Sequence, residues 1–332
     1  MKRLSYLAGF IGLVAVIAMV VRQDGDAILN AFDHAGWGLL WLLPFHALPL
    51  LLDVIGWRML LAPSDPEGRA SIPVLFWIAS IREACNRLLP VANIGGEIVG
   101  IRLVKWRGVD GAAAAASIVI EVLLTLLTQY LFTALGIVLL IALIRNVGAL
   151  DTVLIALAAS LPLPIGLFML LRHGRVFSRL EEVAEKILGG RSRLTELING
   201  KNLDRDIRRL SSSPWRLIGS CGWQFSGFVV GSVETWLALE LLGHSVSVWD
   251  AIAIEGVTQA IRNIIFIVPA GIGVQEGGLI LFGSMIGLPP DAGMALSLVK
   301  RMREVGFGVP ALISWHWVEV RRLAQQRCDE TV

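Results

Sequence analysis

Charge is scarce in this chain. Of its 332 residues, 17% are charged and 55% hydrophobic, where a soluble domain carries about 25% charged residues. Mean hydropathy is +0.69. Lipid is therefore a better reference solvent than water, and a domain count based on length alone does not apply. The three cysteines, Cys85, Cys221 and Cys328, are too few and too scattered for a disulfide framework or a metal site. The five histidines lack ligand spacing, and no CxxC, HExxH or phosphate-loop pattern is present. No metal, cofactor or nucleic-acid partner is expected.

Long apolar runs are what the chain does have. A helical span needs about 20 mostly apolar residues. The runs at 4–21, 36–61, 111–144, 150–171, 215–242 and 292–318 supply six. The first follows Met1-Lys2-Arg3, so a secretory signal is the alternative. No small-x-small cleavage pattern precedes Asp24 and Asp26, and the run reads as a retained span. Two further regions, 72–106 and 250–287, are apolar but interrupted by Gly, Pro and charge. Basic residues mark the cytoplasmic side. Lys2 and Arg3 put the N-terminus inside, while Asp24, Asp26 and Asp33 against Arg22 put the next loop outside. Loop 172–216 holds eleven Lys and Arg against six acids, and Arg321, Arg322 and Arg327 close the chain, so both are placed inside. Six full crossings satisfy these placements if 72–106 and 250–287 each enter and leave on one side. Within the loop, 176–189 reads as an amphipathic helix at the headgroups or as a solvated linker.

The chain also repeats itself at an offset of 179 residues. Trp57, Pro90, Glu97 and Gly108 map onto Trp236, Pro269, Glu276 and Gly287 with identical spacing. The expected architecture is all-α and polytopic, one integral membrane domain over 1–332 with repeats at 36–144 and 215–318 and a basic loop at 172–214. Three crossings separate the two copies, and an odd number inverts the second. Regions 72–106 and 250–287 then become re-entrant helical hairpins from opposite sides. Pro90, Asn93, Gly95 and Gly96 would form one tip, and Pro269, Gly271 and Gly273 the other. Irregular backbone at membrane depth survives only inside protein or against water.

Ionisable groups inside spans are functional candidates because hydrocarbon does not tolerate them unpaired. The candidate polar cavity comprises Arg82, Arg87, Glu97, Glu121, Arg262, Glu276, Lys300, Arg301, Arg303 and Glu304. Adding Arg102, Asp53, Glu83, Glu234 and Glu255 gives seven cations and eight anions, so most can neutralise one another. Arg301 and Glu121 occupy nearly equivalent repeat positions; they bridge the halves or each pairs within its own. His46 and Asp53, seven apart, share a helix face as a buried hydrogen-bonded pair or a catalytic one. Ser117, Glu121, Thr125 and Thr128 form one polar stripe, and Gly293, Ser297, Lys300, Glu304 and Gly308 another. Gly227 and Gly231 form a GxxxG pair suited to close helix approach.

The strings Asn86-Arg-Leu-Leu-Pro-Val-Ala-Asn-Ile-Gly-Gly-Glu97 and Val268-Pro-Ala-Gly-Ile-Gly-Val-Gln-Glu276-Gly-Gly278 resemble hallmarks of the lysylphosphatidylglycerol synthase transmembrane-domain family. The resemblance covers roughly 40–318. That family includes the flippase half of the multiple peptide resistance factor, and a chain of this size with no soluble aminoacyl-transferring domain departs from the full synthase. Among chains of this size, the sequence is most similar to hopanoid-biosynthesis-associated membrane proteins. The resemblance implies lipid translocation or lipid delivery between leaflets, and with the charge placement above the expectation is a non-catalytic flippase or translocator in the bacterial cytoplasmic membrane, both termini inside. Its cargo would be an aminoacylated phospholipid, a polyprenyl-linked lipid or a hopanoid. The alternatives are a scaffold for lipid-biosynthetic enzymes, working through loop 172–216, and a membrane-embedded headgroup enzyme.

Overall fold

A computed structural model describes residues 35–89, 95–144, 162–173, 178, 200–264 and 273–329, and the regular structure among them is entirely helical. The expected span at 4–21, the start of the one at 150–171, the 176–189 helix apart from residue 178, and the tip residues Pro90, Asn93, Pro269 and Gly271 lie outside the described residues.

A 3-10 turn at Gly36–Trp41 leads into α1, Leu42–Leu61. Next come α2 (Ile72–Leu88), α3 (Gly95–Trp106) and α4 (Gly111–Ile144). After α5 (Pro162–His173) and α6 (Gly200–Leu210), the second half runs α7 (Pro214–Leu241), α8 (Val248–Ile264), α9 (Val274–Met285) and α10 (Pro290–Asp329). The starts follow local chemistry. Asp110 Oδ2 accepts from the Ala112 and Ala113 amides at 2.9 and 3.2 Å and caps α4. Ser247 and Asp250 hydrogen-bond each other's backbone amides in a capping box before α8. Pro214 and Pro290 stand at first helical positions, where a missing N–H costs nothing.

Two helical stretches, Gly36–Ser64 and Gly111–Leu143, are long and apolar enough to cross a membrane, with mean hydropathies of 1.8 and 2.2. Helices α7 and α10 are long enough too, about 42 and 60 Å at 1.5 Å per residue, against a hydrocarbon core of about 30 Å. They carry charge, but Glu234 in α7 and Lys300, Arg301, Arg303 and Glu304 in α10 are buried or half-buried. Along α10, Met302, Val305, Val309, Ile313, Trp317 and Val320 recur every three or four residues and are all exposed. Glu304 is buried on the opposite side. A helix with apolar side chains outward and ions inward suits a lipid solvent.

The two interrupted regions are helix pairs of matching proportions. α2 and α8 have 17 residues each, α3 and α9 12 each. At about 26 and 18 Å, none reaches across about 30 Å of hydrocarbon. Leu89 ends α2 in extended backbone (φ −106°, ψ 146°) because it precedes Pro90, whose ring disfavours helix there. Gly108 and Gly287, 179 apart, both take positive φ (83° and 92°) at the turns into α4 and α10. Only glycine adopts that backbone without a Cβ penalty.

Packing repeats as well. α2 packs on α10 as α8 packs on α4, α3 leans on α4 as α9 leans on α10, and α1 lies against α7. The α4/α8 seam is closed backbone to backbone. A Cβ on Gly136 would stand 2.9 Å from the Gly256 Cα, and Thr133 Oγ1 donates to the Gly256 carbonyl at 3.2 Å. Gly256→Ala is expected to destabilise the protein by about 1–3 kcal/mol through overpacking, read as a lower thermal midpoint in detergent.

The basic segment holds a helix outside the 176–189 stretch where one was expected. In α6, Leu203, Ile207 and Leu210 bury against Ala115, Ala116, Ile120 and Leu124 of α4, while Asp204 accepts from the Ser178 amide and hydroxyl at 2.9 and 2.5 Å. Leu203, Ile207 and Leu210 stand at i, i+4 and i+7 among four cations and two acids, an amphipathic period that could have located this helix.

Candidate functional site

A cavity of about 460 Å³ lies between the two halves, walled by α1 to α4 and α7 to α10. Of the predicted residues, Arg82, Arg87, Glu97, Glu121, Arg262, Lys300 and Arg303 line it. Glu276, Arg301 and Glu304 are not among its walls and form an ionic layer around the start of α9 and the middle of α10. Gly95 and Gly96 begin α3, and Gly273, at φ +82°, leads into α9. Arg102 is not interior: it pairs with Glu319 and lies over the Trp106 ring, more than half exposed.

Arg82 organises the first half. It ion-pairs with Glu97 and, at 2.8 Å, with Glu121. Its guanidinium also sits 4.8 Å from the centre of the buried Trp57 ring. Glycines make room for it. A Cβ on Gly100 would meet Arg82 Cδ at 2.7 Å, and one on Gly96 would collide with the Arg82 carbonyl. Asn86 completes the clamp, accepting from the Gly96 amide at 3.0 Å and donating to Glu97 at 3.2 Å.

The second half repeats the motif with other residues. Arg301 pairs with Glu276 at 3.1 Å and Glu304 at 2.9 Å. The other Glu276 oxygen accepts from the Gly273 amide at 2.7 Å. Glu121 and Arg301 therefore pair within their own halves, and no bridge joins them. The reason is that Arg82 and Glu304 already stand closer to each. Lys300 meets Glu255 at 2.5 Å, and Glu255 also accepts from Thr235 and Gln259.

His46 is the cavity-wall group that touches ions of both halves at once. Its Nδ1 lies 3.1 Å from Glu234 and its Nε2 3.0 Å from Glu83, with Arg303 against the ring. Arg303 in turn pairs with Glu234 at 3.2 Å. His46 and Asp53 do not bond each other, because seven residues on one helix separate them by about 10 Å along the axis. Asp53 instead faces the cavity beside Gly227, whose absent side chain leaves space for it: a Cβ there would be 2.7 Å from Asp53 Oδ1. Gly227 also approaches the Pro49 carbonyl, so half of the GxxxG pair makes a close helix contact. A Cβ on Gly231 would meet nothing within 4 Å.

Three groups on the wall have no ion pair or hydrogen bond with any described residue: Asp53, Arg262 and Gln275. The Gln275 side chain is 1% exposed, and neither its oxygen nor its nitrogen has a hydrogen-bond partner among the described residues. Arg87 is half-committed, reaching Glu304 only at 4.0 Å. Sequence reading missed Glu83, Glu234 and Gln275 as wall residues. The first two were in the charge balance, but only tertiary packing shows that they share one histidine. A lone Gln carries no signal.

Compared with known families, residues 6–311 match the profile of the lysylphosphatidylglycerol synthase TM region. No curated protein and no solved structure matches the chain.

Proposed function

The chain belongs to the lysylphosphatidylglycerol synthase transmembrane-region family, and from that premise we propose that it is a translocator that carries a lipid between leaflets. The headgroup occupies the cavity and the tails stay in hydrocarbon. The observation that carries this reading is the cavity itself: its walls are mostly self-neutralised, and Arg262 and the buried Gln275 amide have no partner among the described residues. A guanidinium fork suits a phosphate or carboxylate of a headgroup, and a buried amide without partners calls for a polar ligand or water. Arg262, aided by Arg87, is the anion grip, and Gln275 orients the headgroup.

The two halves rock as inverted copies about the α1/α7 contact, exposing the cavity to each leaflet in turn. The cargo is an aminoacylated phospholipid, a polyprenyl-linked lipid or a hopanoid. The setting is the bacterial cytoplasmic membrane with both termini inside. The protein performs no covalent chemistry in this reading; lipid-biosynthetic enzymes would supply its cargo.

The test is mass spectrometry of lipid copurifying with the protein, followed by translocation of that lipid in reconstituted vesicles. Arg262→Ala should lower the translocation rate by about tenfold, equivalent to about 1.4 kcal/mol, at unchanged thermal stability. A wild-type protein that moves no copurifying lipid defeats the reading.

A further inference from the structure

A second, smaller cavity of about 320 Å³ opens between α2 and α10. Phe76, Trp77, Phe307 and Pro310 give it an apolar wall, joined by Gly306 and Ser314. We propose that this groove is the lateral doorway of the translocator, holding the acyl tail of a membrane lipid whose headgroup lies in the ionic cavity. The inference rests on the translocation reading and names where on the fold the lipid enters.

Four observations carry it. First, the groove and the ionic cavity are separated by one pair of touching rings. Phe307 lines the groove, His46 lines the cavity, and their rings meet edge to face at 5.0 Å. Phe76 meets Phe307 in the same way at 6.5 Å. Second, the groove borders the exposed apolar stripe of α10, with Val305, Val309 and Ile313 beside it. Only hydrocarbon covers such a stripe in a membrane.

Third, the corresponding seam in the other half, α4 on α8, is closed by the Gly136–Gly256 contact, where even one added methyl has no room. The equivalent packings thus differ: one is sealed and the other carries a groove. Fourth, Pro310 has no N–H to give the Gly306 carbonyl, four residues back, so a helical acceptor in the groove wall lacks its usual donor. Both residues line the groove. Such an acceptor suits the polar glycerol or hydroxyl region at the head of a tail.

The groove also lies toward the end of α10 where Trp317 stacks with Arg321 and Trp106 with Arg322. Tryptophan beside arginine is the composition of a membrane interface. The doorway therefore serves the leaflet at the arginine-rich end of the molecule.

The test uses the full chain in vesicles of phosphatidylcholine and phosphatidylglycerol. A phosphatidylglycerol with a photoactivatable diazirine in its acyl chain should leave adducts concentrated in 76–80 and 306–314. Adducts no denser there than around exposed Leu131 and Leu281, or a crosslink to a second copy in their place, overturn the doorway. In parallel, Ser314→Cys, modified after reconstitution with a benzyl methanethiosulfonate, should slow translocation of labelled phosphatidylglycerol about tenfold. Reducing agent should restore the rate, and wild type treated identically should keep its own. The reversal separates blockage from misfolding. An unchanged rate in the modified variant sinks the doorway alone. A wild type that translocates neither labelled phosphatidylglycerol nor its own copurifying lipid, while adducts still fill the groove, sinks the translocation reading and leaves the groove as a lipid-binding site.

Discussion

Arg82→Ala is expected to cost about 3–5 kcal/mol of folding stability, because it leaves buried carboxylates without their counter-ion. Two glutamates from different helices, Glu97 at the start of α3 and Glu121 in α4, converge on this one guanidinium. The Arg82 side chain is only 9% exposed, so water cannot replace it. Against a typical total of about 5–15 kcal/mol, the loss should appear as a collapse of folded yield, or as a much lower thermal midpoint in detergent. Adding Glu97→Gln and Glu121→Gln to the same chain should restore a large part of the loss. The amides keep shape and remove the stranded charges. If the triple variant is no better than Arg82→Ala alone, the damage came from lost packing over Trp57 and not from unpaired charge.

Arg303→Leu should be the next most damaging change, by a different route. Arg303 touches His46 of the first half and Glu234 of the second. Its removal leaves Glu234 facing His46 alone and takes away the cation nearest the junction. A loss of about 3 kcal/mol or more is expected, and it should concentrate at the contact between halves. The discriminating measurement is hydrogen exchange. Amides of α1 and α7 around residues 46 and 234 should lose protection first, while the Arg82 clamp within the first half keeps its own. Uniform loss of protection along the chain would mean that Arg303 supports the fold generally and is no hinge-pin between halves.

The charge pairing illustrates how far one-dimensional reading goes. Counting ions foresaw a nearly balanced interior, and that balance is what hydrocarbon demands of any sequence. It did not reveal the pairs. Repeat register suggested Glu121 opposite Arg301, yet Arg82 reaches Glu121 because Gly100 thins α3 where its side chain passes. Helical periodicity suggested His46 beside Asp53, yet the partners of His46 come from three other helices.

From the residues alone follow the lipid solvent, the helical class, the breaks before Pro90 and near Gly273, and the matched glycines Gly108 and Gly287, which the fold uses as turns. Each of these is local, set by hydropathy, by a proline's effect on its neighbour, or by glycine's freedom at positive φ. Which acid meets which base, which seam closes on Gly136 and Gly256 while its counterpart keeps a groove, and which wall groups stay uncommitted depend on contacts between segments up to 257 residues apart. No local rule encodes a distance across space, so only the folded chain decided them.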